Sequence, residues 1–360
     1  MTVTRVLLLH AYSSVNRGDG LLVDESLAMI REVFGEDTLI DLVTSYPESF
    51  KYTGLRCYRS KPSYFGYDLQ YLKLLWSAFK TYDLVVGVGG GYLRFGTPVE
   101  ALKTIIVMGP QLWAAARSRS RTVYLPQSIG PARLGLERPL RFLLSKLDKV
   151  WVRDNRSLDE FRDSAVERAS DLALLGMQRK VLSYNVGHRP VLSVRAHRGG
   201  VPVGARVLAN LLGDFDGYVQ SAVAGNDDEM AVKSINPARI CSFEELIDSP
   251  STARIVVAIR LHAALMAIKA GHYVVHLAYE RKGFGAFQDL GLSEFVFNVH
   301  DFSPQEVEEI VLKLKSDSDA RDDYDSQIRA ASDSIARSRE QVLGSLAVAG
   351  SPQGREVSRW

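Results

Sequence analysis

An arginine and a histidine one residue apart, Arg260 and His262, are the pair best suited to chemistry in this 360-residue chain. A guanidinium holds phosphate or carboxylate through a planar fork of N–H donors, and an imidazole can give or take a proton near neutral pH. Before them runs Ile255-Val256-Val257-Ala258-Ile259, an apolar, partly β-branched segment that predicts a buried strand. After them, Ala263 to Gly271 is Ala-rich with Leu265 and Ile268 three apart and a glycine at the end, which predicts a short helix. The pair thus sits on a strand-to-helix joint, where open α/β sheets bind ligands and the first N–H groups of a helix attract anions. Read blandly, Arg260 pairs with a nearby carboxylate and His262 is an ordinary first-turn residue.

Other residues could join them. Lys282 follows the strand predicted over His272–Leu277 and precedes Gly283-Phe284-Gly285, so it reaches either toward an anion at Arg260 or simply into solvent. Arg153-Asp154 comes just after a strand ending at Val152, as an anion-seeking arginine or as a salt-paired helix cap. Gly89-Gly90-Gly91 permits close backbone approach to a ligand or a tight turn, but its spacing does not match the dinucleotide fingerprint. Asn16 and Asp19 lie in the first strand-to-helix loop, where Asp19 suits a helix start. Gln127 and Ser128 follow a strand ending at Leu125; no nucleophile elbow surrounds Ser128, which argues against a serine hydrolase.

The elements that must position these groups alternate. Strands are predicted at Val6–His10, Thr38–Val43, Asp83–Val88, Thr122–Leu125 and Lys149–Val152, with helices at Leu21–Phe34, Leu69–Phe79, Lys103–Arg117, Pro139–Leu147 and Asn155–Arg162. A second series starts near Pro190–Arg195, and residues 304–342 read as one or two charged helices. Such alternation implies parallel sheets, and the length suits two domains: an α/β pair of Rossmann-like domains facing a cleft. The boundaries expected are 1–180, 181–342 and a disordered Gly-, Ser- and Arg-rich tail over 343–360.

Hydrophobic residues make up 46% of the chain and charged residues 24%, and the formal charge is +2. That balance argues against a nucleic-acid binder. Cys57 and Cys241 offer neither metal-ligand spacing nor a disulfide framework, so a reducing, cytoplasmic setting is expected, compatible with work at the inner face of a membrane.

Seven pieces, in order over residues 10–292, resemble the polysaccharide pyruvyl transferase family: Asn16…Gly18-Asp19, Gly89-Gly90-Gly91, Gln127-Ser128…Gly130-Pro131, Val152-Arg153-Asp154…Ser157, Asp171-Leu172-Ala173-Leu174, Arg260-Leu261-His262-Ala263 and Tyr279…Lys282-Gly283-Phe284. Ser170 departs from the proline that commonly precedes the aspartate. The resemblance implies a GT-B-like fold, phosphoenolpyruvate as donor, a saccharide or lipid-linked oligosaccharide as acceptor, and a pyruvate ketal across two hydroxyls as product. It also implies that Arg260, Leu261 and Arg153 hold the donor and that His262 is the acid. Placing the donor on the C-terminal domain and the acceptor on the N-terminal domain follows. Lys282 as a further donor ligand, and Asn16, Asp19, Gly89, Gly90, Gly91, Gln127 and Ser128 as acceptor-binding or cleft-lining residues, extend that reading. No metal or cofactor is expected, and peripheral membrane association is compatible with a lipid-linked acceptor. The alternatives are a GT-B glycosyltransferase using a sugar nucleotide, or a non-catalytic saccharide-binding homologue.

Overall fold

A computed structural model describes residues 5–133, 135–162, 165–182, 185–196, 199–221 and 228–349. By contact density the chain divides into two units. One comprises residues up to 14, 21–172 and those from 337 onward; the other comprises 15–20 and 173–336.

The first unit carries strands β1 (Arg5–Ala11), β2 (Leu39–Thr44), β3 (Arg56–Arg59), β4 (Leu84–Gly87), β5 (Gly90–Phe95), β6 (Arg121–Ala132), β7 (Lys149–Val152) and β8 (Val166–Arg168). They form one sheet in the order β3-β2-β1-β4-β6-β7-β8, with β5 paired to β6, and every pairing is parallel. The second unit carries β9 (Val191–Ser193), β10 (Asp216–Tyr218), β11 (Ile240–Cys241), β12 (Ile255–Ala258), β13 (Tyr273–Ala278) and β14 (Val296–Asn298), ordered β11-β10-β9-β12-β13-β14 and again parallel throughout. Central strands β4 and β12 are buried along their whole length, as expected of parallel sheets covered on both faces. In both sheets the winding reverses between the first and fourth strands, which is the Rossmann order. The α/β class of two Rossmann-like units expected from the sequence is the class observed.

Boundaries differ from expectation where turn residues misled. The first helix spans Arg17–Phe34 and so starts four residues early, because the Asn16 carbonyl accepts the N–H groups of Asp19 (2.9 Å) and Gly20 (3.0 Å). Strand β6 runs through Pro126 and Gly130 instead of stopping at Leu125: its first half pairs with β4 and its second half with β5. The contact division falls after Leu172, not after 180.

The tail is the plainest correction. Residues 343–349 are helical, the end of a 32-residue helix, Ser318–Ala349; residues 350–360 of the expected tail lie outside the described residues. Val342 and Leu346, one helical turn apart, are fully buried, and the Trp151 indole N–H donates to Ser345 Oγ at 3.0 Å. Apolar burial at i, i+4 outweighs a Gly- and Ser-rich composition.

Two buried histidines brace the second sheet. His272 Nδ1 accepts the Arg254 backbone N–H at 3.1 Å while Nε2 donates to Leu246 O at 2.5 Å, which fixes the neutral tautomer. His276 Nδ1 donates to Ala258 O at 2.8 Å. Burial pushes both imidazoles down to about 4.

Replacing Leu346 by alanine is expected to lower unfolding free energy by about 2–5 kcal/mol in urea titrations, as for other leucines truncated in a core; a disordered tail would give no change. The histidines set a pH dependence. Their folded values lie below the unfolded value of about 6.5, so between that pH and about 4 the unfolded chain binds the extra protons and stability is lost as pH falls. Melting temperature should therefore drop through that window, and His272→Gln should flatten the drop.

Candidate active site

In the second unit, β12 delivers Arg260 and His262 to the carboxyl edge of its sheet at the switch point, since β12 is the fourth strand and lies beside β9. Arg260 is the extended N-cap of the helix Leu261–Lys269, so its side chain leaves the chain before the helix turns. The guanidinium forks onto Asp228, with Nε 2.5 Å from Oδ2 and Nη2 2.7 Å from Oδ1. Burial pushes the Asp228 carboxyl up, and the Arg260 charge pulls against that rise. The carboxylate covers one edge of the fork and fixes its plane.

His262 is half-buried in the first turn of the same helix. The segment 15–20 closes over it. A Cβ placed on Gly18 would lie 2.3 Å from His262 Nδ1, a distance no side chain tolerates. Asn16 bridges to Ser221 and donates through Nδ2 to Asp19 Oδ2 at 2.7 Å. Arg17 donates to the Tyr218 hydroxyl at 3.3 Å and stacks 4.1 Å over the Phe243 ring. Asn16, Gly18 and Asp19, read from sequence as a separate loop, are thus brought together with Arg260 and His262.

Leu261 is buried at 4% exposure, so it can offer a ligand only its backbone N–H at the helix start. Lys282 lies in the first turn of the helix Arg281–Asp289, not in a loop, and its Nζ is 3.0 Å from Glu280 Oε2. Tyr279 accepts a hydrogen bond from Arg195 Nη1 at 2.8 Å.

The first unit gathers the other predicted residues at its own carboxyl edge. Arg153 is buried at 1% exposure, ion-paired to Asp171 at 2.5 Å, and its Nε donates to Ser128 Oγ at 3.1 Å. Asp154 caps the helix Asn155–Phe161 by accepting the Ser157 N–H, so the cap and the arginine are separate devices. Gly91 lies against Arg153, and a Cβ on Gly89 would fall 2.7 Å from the Pro126 carbonyl. Gly90 has φ +147°, open to glycine and strained for other residues. Gln127 is fully buried, and neither amide atom has a hydrogen-bond partner among the described residues.

Several neighbours were not singled out from sequence. Asp228 comes 32 residues before the arginine it holds, beyond any local pattern. His10, at the end of β1, has φ +69°, stacks on Tyr92 with ring centroids 4.5 Å apart, and contacts the Tyr124 hydroxyl through Nε2 at 2.8 Å. Burial takes its imidazole down to about 3, so it is neutral at physiological pH. Its Nδ1 and the Tyr92 hydroxyl have no partner among the described residues. The signal for His10 was a polar residue closing an otherwise apolar strand at the sheet's switch point.

Gly18→Ala is the direct check on the closed segment. It should displace the imidazole, shift the His262 ring resonances in NMR spectra, and cost about 1–3 kcal/mol of stability through overpacking. Unmoved His262 resonances would mean that the segment does not press on the ring.

A sequence model described as polysaccharide pyruvyl transferase matches residues 16–281, a span running from Asn16 past His262 to Arg281. Curated protein sequences give no match. Among solved structures, Anabaena HepE in complex with UDP-glucose superposes with a TM-score of 0.57 at 13% identity, covering 96% of this chain and 99% of that one. A glycosyltransferase from Rickettsia africae gives 0.56 at 10% identity, covering 96% and 99%, and UDP-bound MnaA from S. aureus gives 0.52 at 9%, covering 95% of each. These likenesses show the fold alone. The family match spans well over half of the chain, and the chain belongs to the polysaccharide pyruvyl transferase family.

Proposed function

We propose that this transferase moves the pyruvyl group of phosphoenolpyruvate onto two hydroxyls of a saccharide, forming a cyclic ketal on a cell-surface or lipid-linked glycan. The observation that carries the reading is the joint after β12, where a carboxylate-oriented guanidinium, the start of a helix and the His262 imidazole share one turn. Phosphoenolpyruvate bears a carboxylate and a phosphate, and a guanidinium held in plane at the start of a helix suits either anion.

The reaction needs a proton at carbon. His262, charged beside the bound dianion, delivers it to the methylene carbon C3, leaving an oxocarbenium centre at C2. One sugar hydroxyl adds at C2 and gives up its proton. The C2–O bond to phosphate then breaks, and the second hydroxyl closes the ring, giving up its own. Of the two protons released, one restores the imidazolium and the other leaves with inorganic phosphate. Arg260 binds and orients the donor, and Asp228 holds that guanidinium in plane.

The test is an acceptor screen with phosphoenolpyruvate, reading phosphate release together with the mass gain of each glycan. His262→Ala should keep donor binding and lose about 10²–10⁴-fold in turnover. Arg260→Ala should weaken donor affinity in calorimetry. Near-normal turnover in the first variant, or unchanged affinity in the second, would remove that residue from the scheme. Thermal stabilisation by a sugar nucleotide and not by phosphoenolpyruvate would point instead to glycosyl transfer.

A further inference from the structure

The first unit carries an apolar surface that its own core does not use. The helix Leu69–Trp76 buries Tyr71, Leu74 and Leu75 and turns Leu69, Leu72 and Trp76 outward, with Trp76 87% exposed. The helix Pro98–Val107 buries Ala101 and Thr104 and leaves Val99, Leu102, Ile105 and Ile106 in solvent. The segment entering the first helix is tied to the second where the Tyr67 hydroxyl donates to the Ile106 carbonyl at 2.6 Å, and both helices pack on the helix Gly109–Arg117, whose Trp113 is also exposed. Just before the first helix, Tyr64 and Phe65 stand almost wholly exposed at a turn. A surface helix ordinarily shows polar residues outward, so two adjacent helices with Leu, Ile and Trp outward mark an interaction face.

Charge indicates what that face meets. Residues 61–119 hold seven Lys and Arg against three Asp and Glu, an excess of four, while the whole chain carries only +2. Lys61, Lys73, Lys80, Lys103, Arg117 and Arg119 are exposed. The three acids are engaged locally: Asp68 accepts the N–H groups of Gln70 and Tyr71, Asp83 that of Arg5, and Glu100 the Thr97 hydroxyl. An apolar face with tryptophans and flanking cations is the composition that seats in the headgroup region of an anionic bilayer. A second copy docking face to face would set this basic surface against itself.

We propose that this face binds the surface of an anionic lipid bilayer, with Trp76, Leu72 and Leu102 entering the interface and Lys73 and Lys103 meeting lipid phosphates. The proposal stands whether or not pyruvyl transfer is the reaction. Flotation of the full chain with vesicles tests it, using phosphatidylcholine alone or with roughly one-third phosphatidylserine; binding to the anionic vesicles should be about tenfold stronger or more and weaken in high salt. Leu72→Ser with Trp76→Ser should abolish flotation while leaving the melting temperature within a few degrees of the parent. Lys73→Glu with Lys103→Glu should remove the preference for phosphatidylserine. A parent chain that stays with neither vesicle, or variants that float like the parent, would overturn the proposal. So would a parent dimer in sedimentation velocity that Leu72→Ser with Trp76→Ser converts to monomer, since the face would then be occupied by a second copy.

Discussion

At the joint after β12 an imidazole and a backbone approach so closely that only a hydrogen atom fits between them. Gly18 supplies that hydrogen, and the constraint propagates outward. It requires the segment 15–20 to pass over His262, which in turn requires Asn16 to hold the helix start and bridge to Ser221. The ring is thereby held against one side of its turn. Under the proposed reaction, a proton donor that must address a single carbon gains from such restriction, since misplacement by about 1 Å can cost two orders of magnitude in rate.

Arg153 and Arg260 use the same electrostatic solution. Arg153 with Asp171 and Arg260 with Asp228 are pairs in which desolvating two charges is offset by short, directional hydrogen bonds. Such pairs add little to stability relative to apolar residues. What they provide is orientation: each guanidinium is held in a fixed plane by its carboxylate.

The joint carrying Arg260 and His262 was legible because a β-branched run gives way abruptly to an Ala-rich one. The two Rossmann-like α/β units were legible from alternation; the strand order within each sheet was not. Strands β3, β8 and β11, two to four residues long, were not, since so few residues show no period. Pro126, Gly130 and Pro131 read as breakers, yet β6 continues through them because β5 takes over as partner where β4 ends. Asp228 and His10 owe their significance to partners that folding brings near, a relation that local spacing does not encode. Only the end of the last helix, residues 343–349, was hidden by composition, although Val342 and Leu346 already had the right interval.

The three tryptophans among the described residues fall into two optical classes. Trp151 is buried and tied to Ser345, whereas Trp76 and Trp113 face water. Emission from the first is shifted to the blue and reports whether the final helix is docked; emission from the others is red-shifted and responds to whatever covers the outer face. One fluorescence spectrum of the native chain therefore reads the integrity of the first unit and the occupancy of its surface in separate bands, without an added label.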